Sequence, residues 1–118
     1  MSRVITDDDY NNAIVILLQM FEDDVIDVVE VSNLSENSYY DVSDSVIKMG
    51  SYSDIEFKIA ILFHEFGHVG NGDVYISNQL LDETMAWLTG MGLFEEVFGE
   101  GFNDRQLSYM VECIGTYS

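Results

Sequence analysis

Apolar positions along the chain change their spacing several times, and each change marks an element. Ile14, Leu17, Leu18 and Phe21 recur at helical spacing behind Asp7-Asp8-Asp9. Carboxylates favour the positive end of a helix dipole, so a helix is expected from Asp7 to about Phe21. Val25 to Val31 is rich in β-branched residues and predicts a strand. Asn33 to Asn37 is turn-like. Tyr39 to Val42 and Ser45 to Met49 predict two further strands, or one strand broken near Asp44, and Gly50 closes the section.

Ser53-Asp54-Ile55-Glu56 has capping-box spacing, with Ser53 as N-cap and Glu56 reaching back. A helix should then run from about Asp54 to Val69, until Gly70-Asn71-Gly72-Asp73 breaks it. A second helix fits about Ser77 to Met91. Phe94 to Phe102 reads as an exposed loop. A last helix starts at Asp104 and carries Leu107, Met110, Val111 and Ile114. The order predicts an α+β fold with a small antiparallel sheet. The length of 118 residues fits a single domain over 1–118.

The helix around position 60 differs from the others. Ile55, Phe57, Ile59, Ala60, Ile61, Leu62, Phe63, Phe66 and Val69 surround its axis almost completely. A helix that is apolar all round is buried. Yet it carries His64-Glu65-Phe66-Gly67-His68, and these are the only two histidines in the chain. Residues four apart share a helix face, so both imidazoles can reach one ion. Glu65 projects about 100° further round the axis, where it can meet a water on that ion without being a ligand. Burying a carboxylate and two imidazoles is costly unless a cation compensates. Gly67 weakens the helix, and its useful role is room for close backbone packing beside the metal.

Zinc takes a third protein ligand and keeps an open position for water. With no other histidine and one distant cysteine, that ligand is an acid: Asp73, Asp82 and Glu83 are the near candidates. On the second helix, Leu80, Leu81, Thr84, Trp87, Leu88 and Met91 define an apolar arc. Glu83 falls at its edge and Asp82 points roughly to the opposite side. The projection favours Glu83 and leaves Asp73 and Asp82 as alternatives.

His64-Glu65-Phe66-Gly67-His68 followed by Glu83 on a second helix resembles the gluzincin metallopeptidases, and in particular small HExxH proteins encoded by phages and mobile elements. The resemblance covers roughly Ser45 to Gly90. It implies a minimal zincin-like domain, His64, His68 and Glu83 as zinc ligands, Glu65 as general base, and Ser45 to Met49 as the strand beside a substrate cleft. The chain departs from the pattern in three ways. Fourteen residues separate His68 from Glu83, fewer than in thermolysin-like enzymes, Ala86 stands where they place a polar residue, and no further histidine is left to stabilise an oxyanion. Ligand support and the oxyanion donor are thus unassigned, with Tyr52, Tyr75, Tyr109 and Arg105 as candidates for the donor.

Composition narrows the partners. The formal net charge is −18, from 22 acids against Arg3, Lys48, Lys58 and Arg105. Phosphate contacts need Lys and Arg, so direct nucleic-acid binding and anionic membrane surfaces are excluded. The acidity serves solubility, attracts a basic or nucleic-acid-binding protein, or imitates a phosphate array; a halophile-like surface is a further reading. The lone Cys113 excludes an intrachain disulfide and fits a reducing compartment. Cys113 itself reads as core. No signal core or membrane-length apolar run is present, so a cytoplasmic protein is expected, in a host cytoplasm if phage-encoded. Two functions from different classes follow. One is a zinc-dependent metallopeptidase acting on a peptide or protein. The other is a non-catalytic acidic inhibitor or adaptor whose metal is structural.

Overall fold

A computed structural model describes residues 4–72 and 78–117. The chain is α+β: α1 (Asp7–Met20), a short 3-10 turn (Glu22–Asp24), β1 (Asp27–Ser35), β2 (Tyr39–Asp41), β3 (Val46–Ser51), α2 (Ile55–Gly70), α3 (Gln79–Phe98) and α4 (Asp104–Gly115). The backbone groups into two compact units, Met1–Ile59 and Ala60–Ser118, with α2 running from the first into the second. Among the described residues no helix is long and apolar enough to cross a membrane.

In the first unit, α1 starts where the acids predict it. Thr6 caps it through a capping box with Asp9, and Tyr10, Ala13 and Leu17 form its buried stripe. Val25 is not yet strand. It takes a left-handed conformation at φ 51° as the C-cap of the 3-10 turn, which costs a β-branched residue about 1–2 kcal/mol. β1 therefore begins at Asp27, and it continues through the expected turn at Asn33 as far as Ser35.

The sheet is mixed rather than antiparallel. Its order is β1-β3-β2, with β3 parallel to β1 and antiparallel to β2. Asp27 to Glu30 pair with Val46 to Met49, then β1 bulges before Ser35 meets Ser51. Leaving β1, the chain must pass over β3 to reach the far edge, and it does so at Gly50. A Cβ there would lie 1.9 Å from the Leu34 carbonyl oxygen and 2.2 Å from that of Asn37. The crossing is fastened by the Glu36 N–H donating to the Ser51 carbonyl at 2.7 Å and by the Gly50 N–H donating to Ser38 Oγ at 3.0 Å. Gly50 is thus the strand residue that permits the topology, not the end of the section. Ile47 and Met49 on the central strand are fully buried. Tyr10 donates to Glu30 Oε2 at 2.7 Å, and Lys58 pairs with the same carboxylate while lying 4.6 Å from the Tyr10 ring centre. Burial and the Glu30 carboxylate push the Tyr10 phenol far above its usual pKa.

The α2 helix is capped one residue later than the Ser53 box predicts. The Asp54 carboxylate accepts the Glu56 N–H at 3.0 Å, and the Asp54 carbonyl accepts the first helical bond, from Lys58 N–H. In the second unit, α3 overruns its expected end at Met91 and continues to Phe98, where Gly99 closes it at φ 75°. Phe94 to Phe98 is therefore helix, not loop. Phe94 and Phe102 are buried, and Phe94 packs edge-on against Phe63 at 5.2 Å and Phe102 at 4.9 Å between ring centres. α4 starts at Asp104 with an Asn103–Gln106 capping box, and Gln106 is fully buried.

The glycines give a paired test. Gly50→Ala forces a methyl into two carbonyl oxygens and should destabilise by at least about 1–3 kcal/mol. Gly92→Ala meets nothing within 4 Å on a helix and should stabilise by about 0.5–1 kcal/mol. Urea unfolding reads both; a Gly50→Ala midpoint at or above wild type contradicts the crossing.

Candidate metal centre

The second unit brings α2 and α3 together where both lack side-chain bulk. A Cβ on Gly67 would lie 2.0 Å from the Ala86 carbonyl oxygen, and one on Gly90 would lie 2.5 Å from that of Phe63. Each helix thus presses its small residue on the backbone of the other. The expected role of Gly67, room for close packing, is present in the structure. The buried ridge of α3 is Ala86, Trp87, Gly90 and Phe94. Leu81 and Leu88, placed in the apolar arc by the sequence, are 50% and 61% exposed. The inward face is thus rotated, and Glu83, three and four residues before Ala86 and Trp87, continues it rather than sitting at an edge.

One residue on from Phe63 and from Gly67, on the adjacent ridge of α2, His64 and His68 meet Glu83. Both Nε2 atoms lie on the same carboxylate oxygen, Glu83 Oε2, His64 at 3.0 Å and His68 at 2.8 Å. The rings stand 4.8 Å apart. His64 stacks on Trp87 with 4.3 Å between ring centres and 22° between planes. One ligand atom from each of His64, His68 and Glu83 lies within 4.8 Å of the others, so the three form a possible metal-binding triad. Thr89 donates to Asn71 Oδ1 at 2.8 Å and ties the end of α2 to α3 beyond the triad.

Electrostatics follow from burial and shared protons. For Glu83, burial raises the carboxyl pKa, but hydrogen bonds from both imidazoles and their charge hold it well below the usual range. His64 is pushed down, chiefly by burial. At His68 burial also acts downward, but the Glu83 hydrogen bond and the charges of Glu65, Glu83 and Asp82 outweigh it and raise the value. His64 Nδ1 is buried with no hydrogen-bond partner among the described residues. Leaving such an atom unsatisfied costs about 1–3 kcal/mol. Among the described residues, that ring is held by stacking on Trp87, by the edge of His68 and through its Nε2.

The other sequence candidates divide. Glu65 is buried on α2 beside the triad, and its charge is felt at His68. Asp82 is half-buried; its charge reaches both imidazoles, but it is not one of the three convergent ligands. Asp73 and Tyr75, like Ser77, lie outside the described residues. Tyr52 belongs to the first unit and hydrogen-bonds Ser38 at 2.8 Å, and Tyr109 engages the half-buried Cys113. A residue absent from the sequence reading comes close instead. Tyr117, an exposed residue just past α4, lies near enough to Glu83 that partial burial and the Glu83 charge push its phenol up to about 12.

Comparison of the chain with protein-family models, curated proteins and solved structures finds no match. Chemistry therefore rests on the residues. Two imidazole nitrogens and a carboxylate oxygen suit a divalent transition metal, and a cation bound there would take the place of any proton between an Nε2 atom and Glu83.

This geometry separates the two neighbouring acids on α3. Glu83→Ala should weaken Zn²⁺ affinity by more than the roughly 10- to 100-fold typical of an outer-sphere partner, whereas Asp82→Ala should change it by less than about threefold, since only a screened charge is lost. Calorimetric titration of both variants checks this, and equal losses would contradict it.

Proposed function

We propose that the chain is a zinc-dependent metallopeptidase of gluzincin type. The observation that carries the reading is the meeting of His64, His68 and Glu83 at one point with Glu65 buried directly after the first ligand. A closed structural site needs a fourth protein ligand and no carboxylate at that position. Three donors, two of nitrogen and one of oxygen, fit zinc and leave a coordination position for solvent or substrate.

Bound there, zinc would supply Lewis acidity that polarises a peptide carbonyl and acidifies water. The chain's own residues do the rest. His64 and His68 present Nε2 from adjacent turns of a rigid buried helix, and Trp87 fixes the first ring by stacking. Glu65, one step round that helix, accepts the proton of the attacking water and returns it to the leaving amine. The apolar surroundings, Phe63 and Phe66 among them, limit competing water and strengthen these charge interactions. The acidic surface fits delivery to a basic protein substrate.

Glu65→Gln tests the reading because it keeps shape and metal while removing the base. Zinc content and melting temperature should stay near wild type, while cleavage of a proteome-derived peptide library falls about 100- to 10,000-fold. Full cleavage at full zinc content would reject Glu65 as base. A zinc-loaded wild type that cleaves nothing, with Glu65→Gln silent in every biological assay, would favour the adaptor with a structural metal.

A further inference from the structure

Opposite the ridge that packs on α2, α3 turns a second row of side chains to solvent. Leu81, Met85, Leu88, Gly92, Glu95 and Glu96 are all exposed, and they fall within about 100° of one another around the helix axis. The solvent side of a helix ordinarily carries polar and charged residues. Here the first two turns of the row carry three large apolar side chains at i, i+4 and i+7, which are 50%, 38% and 61% exposed. Gly92 continues the row. A Cβ there would meet nothing within 4 Å, so packing within the described chain does not require a glycine. It weakens the helix by about 1 kcal/mol and leaves a hollow between Leu88 and the two glutamates.

Charge determines what fits this face. Glu95 and Glu96 end the row, and the exposed Glu100 follows the Gly99 cap. The last turn of α3 holds no basic residue, and the whole helix, Gln79 to Phe98, contains no Lys or Arg. Carboxylates at the negative end of a helix dipole are disfavoured by about 0.3–1 kcal/mol each, and a cation placed there relieves both the dipole and the acids. A second copy of the chain brings only the same acids to this row, so self-pairing leaves the carboxylates unmatched. Apolar side chains at helical spacing that run into carboxylates complement a second helix with apolar residues at the same spacing and Lys or Arg at one end. From Leu81 to Glu96 the row runs about 22 Å, so a partner helix of about 15 residues covers it.

We propose that the outward row of α3 is a docking surface for a basic amphipathic helix of another protein. Its apolar residues seat on Leu81, Met85 and Leu88 and in the hollow at Gly92, and its lysines or arginines face Glu95, Glu96 and Glu100. Glu83 leaves the other side of the helix, so the inference stands apart from the metal reading of the triad.

The probe is a synthetic helix-forming peptide of about 15 residues, with leucines at i, i+4 and i+7 and lysines at one end, beside a scrambled peptide of identical composition. Fluorescence anisotropy compares wild type, Leu81→Ser/Leu88→Ser, Glu95→Gln/Glu96→Gln and Asp23→Asn/Asp24→Asn, the last removing two exposed acids from the first unit. Wild type should bind the patterned peptide at least about tenfold more tightly than the scrambled one. The leucine pair should weaken it about tenfold or more, and the glutamate pair about three- to tenfold at low salt, with less effect at high salt. The aspartate pair should change it by less than about twofold, and every melting temperature should stay within about 4 °C of wild type. Equal binding of the two peptides, or equal weakening by the two acid pairs, overturns the inference, since charge alone would then act. So does a leucine pair that binds within twofold of wild type, or a wild type that binds neither peptide. A wild-type dimer in sedimentation equilibrium that Leu81→Ser/Leu88→Ser dissolves assigns the face to a second copy and overturns it as well.

Discussion

Two carbonyl oxygens set the architecture of the site. Those of Ala86 and Phe63 occupy the space that side chains at positions 67 and 90 would fill. Only glycine at both places lets α2 and α3 approach this closely, and only at this separation does a glutamate on one helix reach two histidines on the other. Phe63 and Gly67 make one ridge of α2, and His64 and His68 the next, so the approach that buries the first ridge delivers the second to Glu83. The helix cost of two internal glycines, about 1 kcal/mol each against alanine, is offset by the aromatic packing of Phe63, Trp87, Phe94 and Phe102 that the approach allows.

What converges there is a charge problem with one economical solution. A half-buried carboxylate oxygen faces the Nε2 atoms of two imidazoles, one buried and one half-buried. Burial drives His64 toward neutrality, and hydrogen bonding keeps Glu83 ionised. The arrangement concentrates lone pairs on one point, which is what a divalent cation needs and what an apolar core otherwise avoids. Glu65 adds a buried acid beside the half-buried Glu83 without joining the triad.

Much of this was legible from residue identity, because helical spacing is local information. His64, Glu65 and His68 reveal their shared turn, and the all-round apolar pattern reveals the burial of α2. The helix phase favoured Glu83 over Asp82 but misplaced the inward face. Leucines at 81 and 88 carry a strong apolar signal yet lie exposed, whereas Ala86 and Gly90 carry little signal and are buried because they are small. The aromatic stretch around Phe94 reads as loop from the sequence, yet α3 runs through it to Phe98 because Phe94 is buried against Phe63 and Phe102. The α+β class could be read, but the parallel pairing of β1 with β3 could not. It depends on a chain crossing at Gly50, a contact with Leu34 and Asn37 that no local pattern encodes. Tyr117 was invisible for the same reason, since nothing in the order of residues brings the end of α4 to α3.

The central claim is that His64, His68 and Glu83 form one zinc site, and X-ray absorption at the metal edge tests it most directly. Protein purified without added metal, quantified for metals and measured at the zinc edge, should carry one zinc per chain. Its first shell should contain two imidazole nitrogens and oxygen at about 2.0–2.2 Å. Absence of bound metal, a shell with sulfur at about 2.3 Å, or iron in place of zinc, which a pair of histidines and one carboxylate also accommodates, would contradict the account.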